Sequence, residues 1–191
     1  MKRQYGILTV IMITLAVFLT ACGSETDGVT KVEESNFVRP ENVDFETSEV
    51  DWRTFELTDL DGDSFKISDF DNKAVFVETF AVWCLNCKKQ QGFITELHDE
   101  LGDDVITIAI EIDPNAVESN VANYVAENGF ESRYVVAPKE FTQSLVGEFG
   151  AQVVSAPSVP MLYICRDQVT FLHRGLKPVS ELKELVEECN A

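Results

Sequence analysis

The sequence predicts an α/β fold, a mixed central β-sheet flanked by helices, within residues 52–191 of the 191-residue chain. Three observations point there. The runs Ala74-Val-Phe-Val77 and Val105-Ile-Thr-Ile-Ala-Ile-Glu-Ile112 are almost continuously apolar, as central strands covered on both faces must be. Each run leads into a stretch with helical character. The chain then closes with a strand, a short turn, a second strand and a helix. Alternating strands and helices that end in a hairpin and a helix pack as helices on a mixed sheet.

The first element is an N-terminal β-hairpin. Residues Phe55–Ser68 alternate polar and apolar on either side of Asp61-Gly62, a dipeptide suited to a tight turn. A strand over Lys73–Phe80 follows, and then a helix from about Cys84 to Leu101. Phe93, Ile94, Leu97 and Leu101 fall at helical spacing and supply its buried face. The strand beginning at Val105 is next. Asp113-Pro114-Asn115 ends it and starts an extra helix through about Asn128, which Gly129 stops. Tyr134–Ala137 reads as a short added strand, Lys139–Phe149 as a helix and Gly150–Ser158 as a loop. Strands Met161–Cys165 and Val169–His173 enclose the turn Arg166-Asp167-Gln168. Ser180 caps a last helix that has Glu181 in its first turn.

The N-terminus carries an address. Lys2 and Arg3 precede a 13-residue apolar run, Ile7–Leu19, and small residues follow, which reads as an export signal over residues 1–21. The run is shorter than the about 20 residues of a membrane span. An uncleaved signal anchor would give the same outward topology, at a membrane surface where disulfides persist. Leu19-Thr20-Ala21-Cys22 resembles the lipobox of lipoproteins, in which the signal is cut before the cysteine and its thiol is lipidated. Cys22 is then a lipid anchor to the cell membrane and takes no part in the chemistry. Residues 22–51 are acidic and poor in apolar side chains, as a tether is.

The chain has 15 basic and 33 acidic residues, a formal net charge of −18. Loss of Lys2 and Arg3 with the signal makes this −20, from 13 basic residues against 33 acidic. Such a surface repels nucleic acid, which is excluded as a partner. It attracts basic proteins such as some cytochromes, or serves solubility alone.

The chemistry is concentrated in Trp83-Cys84-Leu85-Asn86-Cys87, where a strand gives way to a helix. Two cysteines three apart can close a small disulfide ring. Free N–H groups and the helix dipole point at the first sulfur and stabilise it as a thiolate. Cys84 is therefore the nucleophile, and Cys87, one turn inside the helix, resolves the mixed disulfide. C-x-x-C also spaces zinc ligands, but His98, His173, Cys165 and Cys189 provide no second ligand pair. No metal and no cofactor is expected beyond the redox-active Cys84–Cys87 disulfide itself. Glu78 stands among Val75, Phe76, Val77 and Phe80. A buried acid there must be paired or protonated; an edge-facing one would be solvated. Lys88 and Lys89 are exposed helical lysines or supports for the thiolate.

Four elements together resemble a known family: Trp83-Cys84-x-x-Cys87, Ile110-Glu-Ile-Asp113, Val159-Pro160 before a strand, and Gly175 before the final helix. Over about residues 53–190 the chain resembles membrane-anchored, thioredoxin-fold thiol–disulfide oxidoreductases of the TlpA/ResA type. The resemblance implies a thioredoxin-like fold and reduction of disulfides in exported proteins, including apocytochrome cysteines during cytochrome c maturation. It implies electrons from a membrane thiol donor. It assigns Glu78 to proton exchange with Cys87 through water, and Trp83 to packing and the rim of the reactive sulfur. It makes Val159-Pro160, which directly precedes the apolar strand, a cis-proline loop facing the cysteines, with the Val159 backbone pairing an extended substrate; Pro157 is the rival, and an ordinary trans loop proline is the alternative. This sequence departs from the family in Asn86, where a proline often precedes the second cysteine, and in Gly92, where a kinking proline often stands. No histidine lies between the cysteines. Two other readings are a thiol peroxidase of peroxiredoxin type and a non-enzymatic copper-delivery protein. The first would want Thr-x-x-Cys with a nearby arginine, the second a wider cysteine spacing and a placed histidine.

Cys165 and Cys189 stand outside the motif. The predicted order of elements puts both at the pole opposite Cys84, on neighbouring elements. They are candidates for a structural disulfide, or two unpaired thiols with Cys165 buried as a small apolar side chain. His98 and His173 are read as surface or packing residues.

Overall fold

The computed structural model describes residues 51–191, Asp71 excepted. The export signal, Cys22 and the tether up to residue 50 lie outside the described residues. The expected hairpin forms from Leu57–Thr58 (β1) and Ser64–Phe65 (β2), paired antiparallel. Gly62 takes φ +88° in its turn, a conformation open to glycine at little cost. Asp59 organises this turn: its Oδ1 accepts the N–H groups of Asp61 and Asp63 at 3.1 and 3.0 Å. Its Oδ2 pairs with Arg133 at 2.7 Å and ties the hairpin to the sheet.

Ala74–Phe80 (β3) is buried at all seven positions, which is why its sequence lacks alternation. Val105–Glu111 (β4) runs parallel beside it, and Arg133–Val136 (β5) continues the sheet, parallel to β4. On the other side Met161–Cys165 (β6) is antiparallel to β3, and Gln168–Phe171 (β7) forms the edge. The order β5-β4-β3-β6-β7 is the predicted mixed sheet.

The helices are Leu85–Leu101 (α1), Glu118–Asn128 (α2), Lys139–Phe149 (α3) and Val179–Asn190 (α4). One face of the sheet, with Val75, Val77, Ile108 and Ile110, packs against Phe141 and Leu145 of α3 and against Trp52. The other face carries Phe76 against Ile94 and Leu97 of α1 and Leu182 and Val186 of α4. Phe80, further along β3, packs with Val121 of α2 and Tyr134. Burying a side chain of this size stabilises by about 1.5–3 kcal/mol, so the two faces hold the helices in place.

Three expectations are corrected. The extra helix begins at Glu118, five residues beyond Asp113. Asp113 Oδ1 accepts the Asn115 N–H at 2.9 Å, so an Asx turn around Pro114 occupies the intervening chain. The last helix begins at Val179 with Pro178 ahead of it, which places Ser180 inside the first turn, where it caps nothing. The buried stripe of α1 includes Gln90 and Gln91, while Phe93 is only half-buried.

Cys165 ends β6 and Cys189 lies in the last turn of α4; the two form a disulfide with Cα atoms 5.7 Å apart. Ile164 pairs with Val75 near the start of β3, so this bridge sits at the far end of the sheet from Phe80. Closing a loop of this length stabilises by about 3 kcal/mol through the unfolded chain. A Cys165→Ser/Cys189→Ser variant should lose about that much in denaturant unfolding while keeping its Cys84-dependent activity. Peptide mapping of unreduced protein should recover the Cys165–Cys189 link.

Candidate active site

At its C-terminal end β3 passes through Ala81-Val82-Trp83 into α1. Cys84 is the residue that caps the helix: its backbone is extended, and its Sγ accepts the Cys87 N–H at 3.1 Å. Cys84 and Cys87 are joined by a disulfide with Cα atoms 5.3 Å apart. Cys84 keeps 4% of its surface exposed and Cys87 none. The first turn of α1 has no acidic side chain to oppose a thiolate.

The carbonyl oxygen of Ala156 lies 3.4 Å from Cys84 Sγ and 3.1 Å from Cys87 Sγ. In the dithiol this oxygen can accept an S–H, whereas its lone pairs repel a thiolate. The nearer sulfur, Cys87, is thereby favoured as the thiol, and Cys84, which receives an N–H, as the thiolate. The two sulfurs are chemically unequal before any substrate arrives.

Two acids from the end of β4 and the turn after it fix the loop that carries Cys84. Glu111 is buried; its Oε2 accepts the Val82 N–H at 2.8 Å and its Oε1 the Asp113 N–H at 2.9 Å. Burial raises the Glu111 carboxyl above its ordinary value against the pull of these bonds. Asp113 in turn accepts the indole N–H of Trp83 at 2.8 Å. Its carboxyl is held low, first by the Asn115 N–H and then by that indole. Trp83 is 60% exposed yet anchored, so it forms a stiff rim beside the sulfurs. A cleft of about 250 Å³ runs from Trp83 and Pro114 to Val154–Pro157. Asn86 donates from Nδ2 to the Pro157 carbonyl at 3.0 Å, linking α1 to that loop alongside the disulfide.

Glu78 is 1% exposed, so the solvated alternative does not apply. It lies on the same face of β3 as Phe76 and Phe80, under α1. Neither carboxylate oxygen has a hydrogen-bond partner among the described residues, and neither does Gln91 Nε2 nor the Tyr124 hydroxyl. Burial pushes the Glu78 carboxyl well above the usual range, and Lys177 pulls it partly back. Tyr124 and Tyr134 are raised by burial and by the charge of Glu78. Lys177 is fully buried. Burial pushes its ammonium down to about 8, against the opposing attraction of Glu78 and Glu181.

The expectation for Val159-Pro160 is corrected. The chain contains no cis peptide bond among the described residues. Val159 turns the chain with φ +51° and is fully buried. Its N–H is bonded to the Ala156 carbonyl at 2.8 Å, and its own carbonyl accepts the Lys177 ammonium. With both backbone groups engaged, Val159 has none left to pair with a substrate, and Pro160 is buried behind it. The segment that faces the sulfurs is Ala156-Pro157.

Of the remaining sequence-predicted residues, Lys88 and Lys89 are exposed on α1, with Lys89 over the Phe93 ring at 5.9 Å. His98 bonds Thr107 at 2.6 Å and His173 pairs with Glu181 at 2.8 Å; both lie outside the sulfur site. Sequence reasoning named Glu111 within Ile110-Glu-Ile-Asp113 but gave it no role, although an acid closing an apolar strand is the same signal that singled out Glu78. It missed Gln90 and Lys177, which no periodicity marks.

A family model described as Redoxin matches residues 44–183. A search of curated proteins finds no match. Among solved structures, the chain is similar to a thiol:disulfide interchange protein of the thioredoxin family from Chlorobium tepidum. The two are 18% identical over 72% of this chain and 93% of that one, with a TM-score of 0.59. A secreted Mycobacterium tuberculosis disulfide oxidoreductase is 15% identical over 72% of this chain and 97% of its own, with a TM-score of 0.58. The exposed lipoprotein thioredoxin of Streptococcus pneumoniae is 20% identical over 70% and 98%, with a TM-score of 0.55. At these identities the likeness shows a thioredoxin-like fold.

The raised Glu78 carboxyl has a consequence for stability. Between the ordinary carboxyl value and the raised one, the native protein keeps a proton there that the unfolded chain has released; above the raised one Glu78 is a carboxylate in both. Stability from this group is complete below the ordinary carboxyl value and is lost as pH rises through the raised one. Glu78→Gln has no such loss. The variant should gain stability relative to wild type as pH rises from the ordinary carboxyl value towards the raised one, by about 1.4 kcal/mol per pH unit crossed. Denaturant unfolding across that range measures it; a difference independent of pH would contradict the assignment.

Proposed function

Because the chain belongs to the Redoxin family and carries a Cys84–Cys87 disulfide on a thioredoxin-like sheet, we propose that it reduces disulfides of exported proteins outside the cytoplasm. The observation that carries this reading is the inequality of the two sulfurs. Cys84 caps α1 and receives an N–H, while Cys87 is sealed beneath it.

The reaction starts from the dithiol. The Cys84 thiolate attacks one sulfur of a substrate disulfide, and that S–S bond breaks as a Cys84–substrate bond forms. The electron pair leaves on the released substrate sulfur, which takes up a proton. Cys87 then gives its proton to the Glu78 carboxylate, through water, and attacks Cys84 Sγ. The Cys84–substrate bond breaks, the second substrate thiolate leaves, and the Glu78 proton returns to it through the same route. Two electrons pass from the dithiol to the substrate, and the enzyme is left as the disulfide. Trp83, held by Asp113, and the Ala156-Pro157 segment form the rim against which the substrate lies.

The export signal over residues 1–21, a lipidated Cys22 and the acidic tether over 22–51 would keep the domain at the outer face of the cell membrane. The secreted and lipoprotein character named for structural neighbours supports that location. A membrane thiol carrier would return electrons to Cys84–Cys87, and apocytochrome cysteines are a fitting substrate class for so acidic a protein.

In the reduced protein, iodoacetamide should modify Cys84 at least about tenfold faster than Cys87. Cys84→Ser should abolish reduction of a model protein disulfide without changing the circular dichroism. Cys87→Ala should trap a mixed disulfide. Equal alkylation of the two thiols, or peroxide consumption outpacing disulfide reduction, would overturn the reading. Glu78→Gln should slow resolution of the mixed disulfide on the order of a hundredfold, the low end for a general base, and leave its formation nearly unchanged. Stopped-flow traces separate the two steps.

A further inference from the structure

Side chains join the β3–α1 junction to the end of β4 where the backbone ladder between the two strands stops. The last rung is the Ile112 N–H on the Phe80 carbonyl at 3.0 Å. The next N–H that a parallel ladder would take from this side is that of Val82. It goes instead to Glu111 Oε2 at 2.8 Å. Glu111 Oε1 accepts the Asp113 N–H at 2.9 Å, so one buried carboxylate holds both segments as they leave the sheet. Glutamine could not do the same, because an amide has one acceptor oxygen and would turn its own N–H groups toward the second donor. The arrangement reaches Trp83. That indole is 60% exposed, so packing holds little of it, yet it lines the cleft with Pro114 and Pro157. Its ring is tied by the bond from Nε1 to Asp113 Oδ2 at 2.8 Å, and Glu111 holds the Asp113 backbone. Val82, one residue before Trp83, is held by the other oxygen of the same carboxylate. Ring and backbone of Trp83 both trace back to Glu111.

We propose that Glu111 is a positioning residue for the encounter with substrate: by accepting two backbone N–H groups at once, its carboxylate sets Trp83 as a ready-made wall of the cleft against which the partner chain lies. The proposal rests on Cys84 exchanging with protein disulfides. A wall already in place need not be ordered when substrate binds, so Glu111 acts on KM while the sulfurs do the chemistry. Its two bonds go to backbone and to neither sulfur. Protonation would set an O–H against one of the two N–H groups and remove that acceptor. Burial raises this carboxyl, so the clamp loosens as pH falls through the raised value. The titratable groups around it are Asp113 on the same turn, Tyr124 on α2, Glu78 on the same face of β3, and Cys84, two residues after Val82. Asp113 is held low and stays ionised through this range, while burial keeps Tyr124 neutral and raises Glu78. The register neighbours of Glu111, Phe80 on β3 and Val136 on β5, carry no charge.

The test uses the full chain, a model protein disulfide as substrate, and the two tryptophans as probes. Trp83 reports on the cleft, and Trp52, buried against Phe141, is the control. Glu111→Gln should raise KM about tenfold with a much smaller change in kcat. It should shift the Trp83 indole ¹H–¹⁵N signal and speed its exchange with water, leaving the Trp52 signal in place. In an Asp113→Ala background, which already frees the indole, Glu111→Gln should add little to KM. An unmoved KM, a loss confined to kcat, or two indole signals that shift together would each overturn the proposal. A wild type that reduces no protein disulfide would remove the parent reading, and this proposal with it. A wild type that does, beside an unmoved KM in Glu111→Gln, removes this proposal alone. Should Glu111→Gln fail to unfold cooperatively, wild-type protein decides. Its Trp83 signal should titrate in two steps, one below the ordinary carboxyl range from Asp113 and one above it from Glu111. KM should rise as pH falls through the upper step. A Trp83 signal with the lower step alone would overturn the coupling.

Discussion

The rest of the site depends on the complete burial of β3. Its seven positions are closed to water on both faces, and one of them is a glutamate. Unpaired, that side chain would be among the most costly in the molecule. Neither of its oxygens finds a hydrogen-bond partner among the described residues, and burial raises its carboxyl. A scaffold that needed only an apolar core would have leucine there. A buried acid on β3 is therefore a residue for which the fold gives up stability.

Stability is recovered at the opposite pole. The Cys165–Cys189 disulfide fastens the end of α4 to β6, and the Tyr163 hydroxyl donates to the Leu185 carbonyl at 2.6 Å on the same helix. The start of α4 is thus held from behind, and the Gly175–Lys177 segment leading into it stays where Gln90 meets it. At the near pole, Glu111 and Asp113 do comparable work with hydrogen bonds, setting Val82 and Trp83 before the helix begins. One end of the sheet is covalently pinned and the other is arranged around the sulfurs.

The features legible in the sequence were those written in local pattern. Strands β3 and β4 read as apolar runs because parallel neighbours bury both their faces. Cys84 and Cys87 read as a redox pair because the motif sits at a strand-to-helix junction. Glu78 stood out because an acid among valines and phenylalanines contradicts its surroundings. The illegible features depend on contacts across the chain. Gln90 and Gln91 lie on the buried face of α1, but a hydrophobic pattern counts them as surface. Lys177 follows Gly175-Leu176 in a loop, and nothing local tells that its ammonium turns inward to Val159. The Val159-Pro160 step was misread for the same reason: the donor that engages the Val159 carbonyl comes from Lys177, on the other side of the β6–β7 hairpin. The late start of α2 and the displaced Ser180 are boundary errors where Pro114 and Pro178 reset the backbone.

The balance between dithiol and disulfide depends on what the site offers the reduced state. Whatever stabilises a thiolate stabilises the dithiol form and makes the disulfide a stronger oxidant. Here Cys84 has the helix N-terminus and one N–H, with Leu85 and Asn86 in place of any cationic side chain between the cysteines. Ala156 turns carbonyl lone pairs toward both sulfurs, and Asn86 gives its donor to Pro157 rather than to sulfur. Beneath them Glu78 adds negative charge whenever it is ionised, and Lys177 offsets that charge only while it keeps its own proton. The N–H bond and the helix N-terminus favour the Cys84 thiolate, while the Ala156 carbonyl and an ionised Glu78 oppose it.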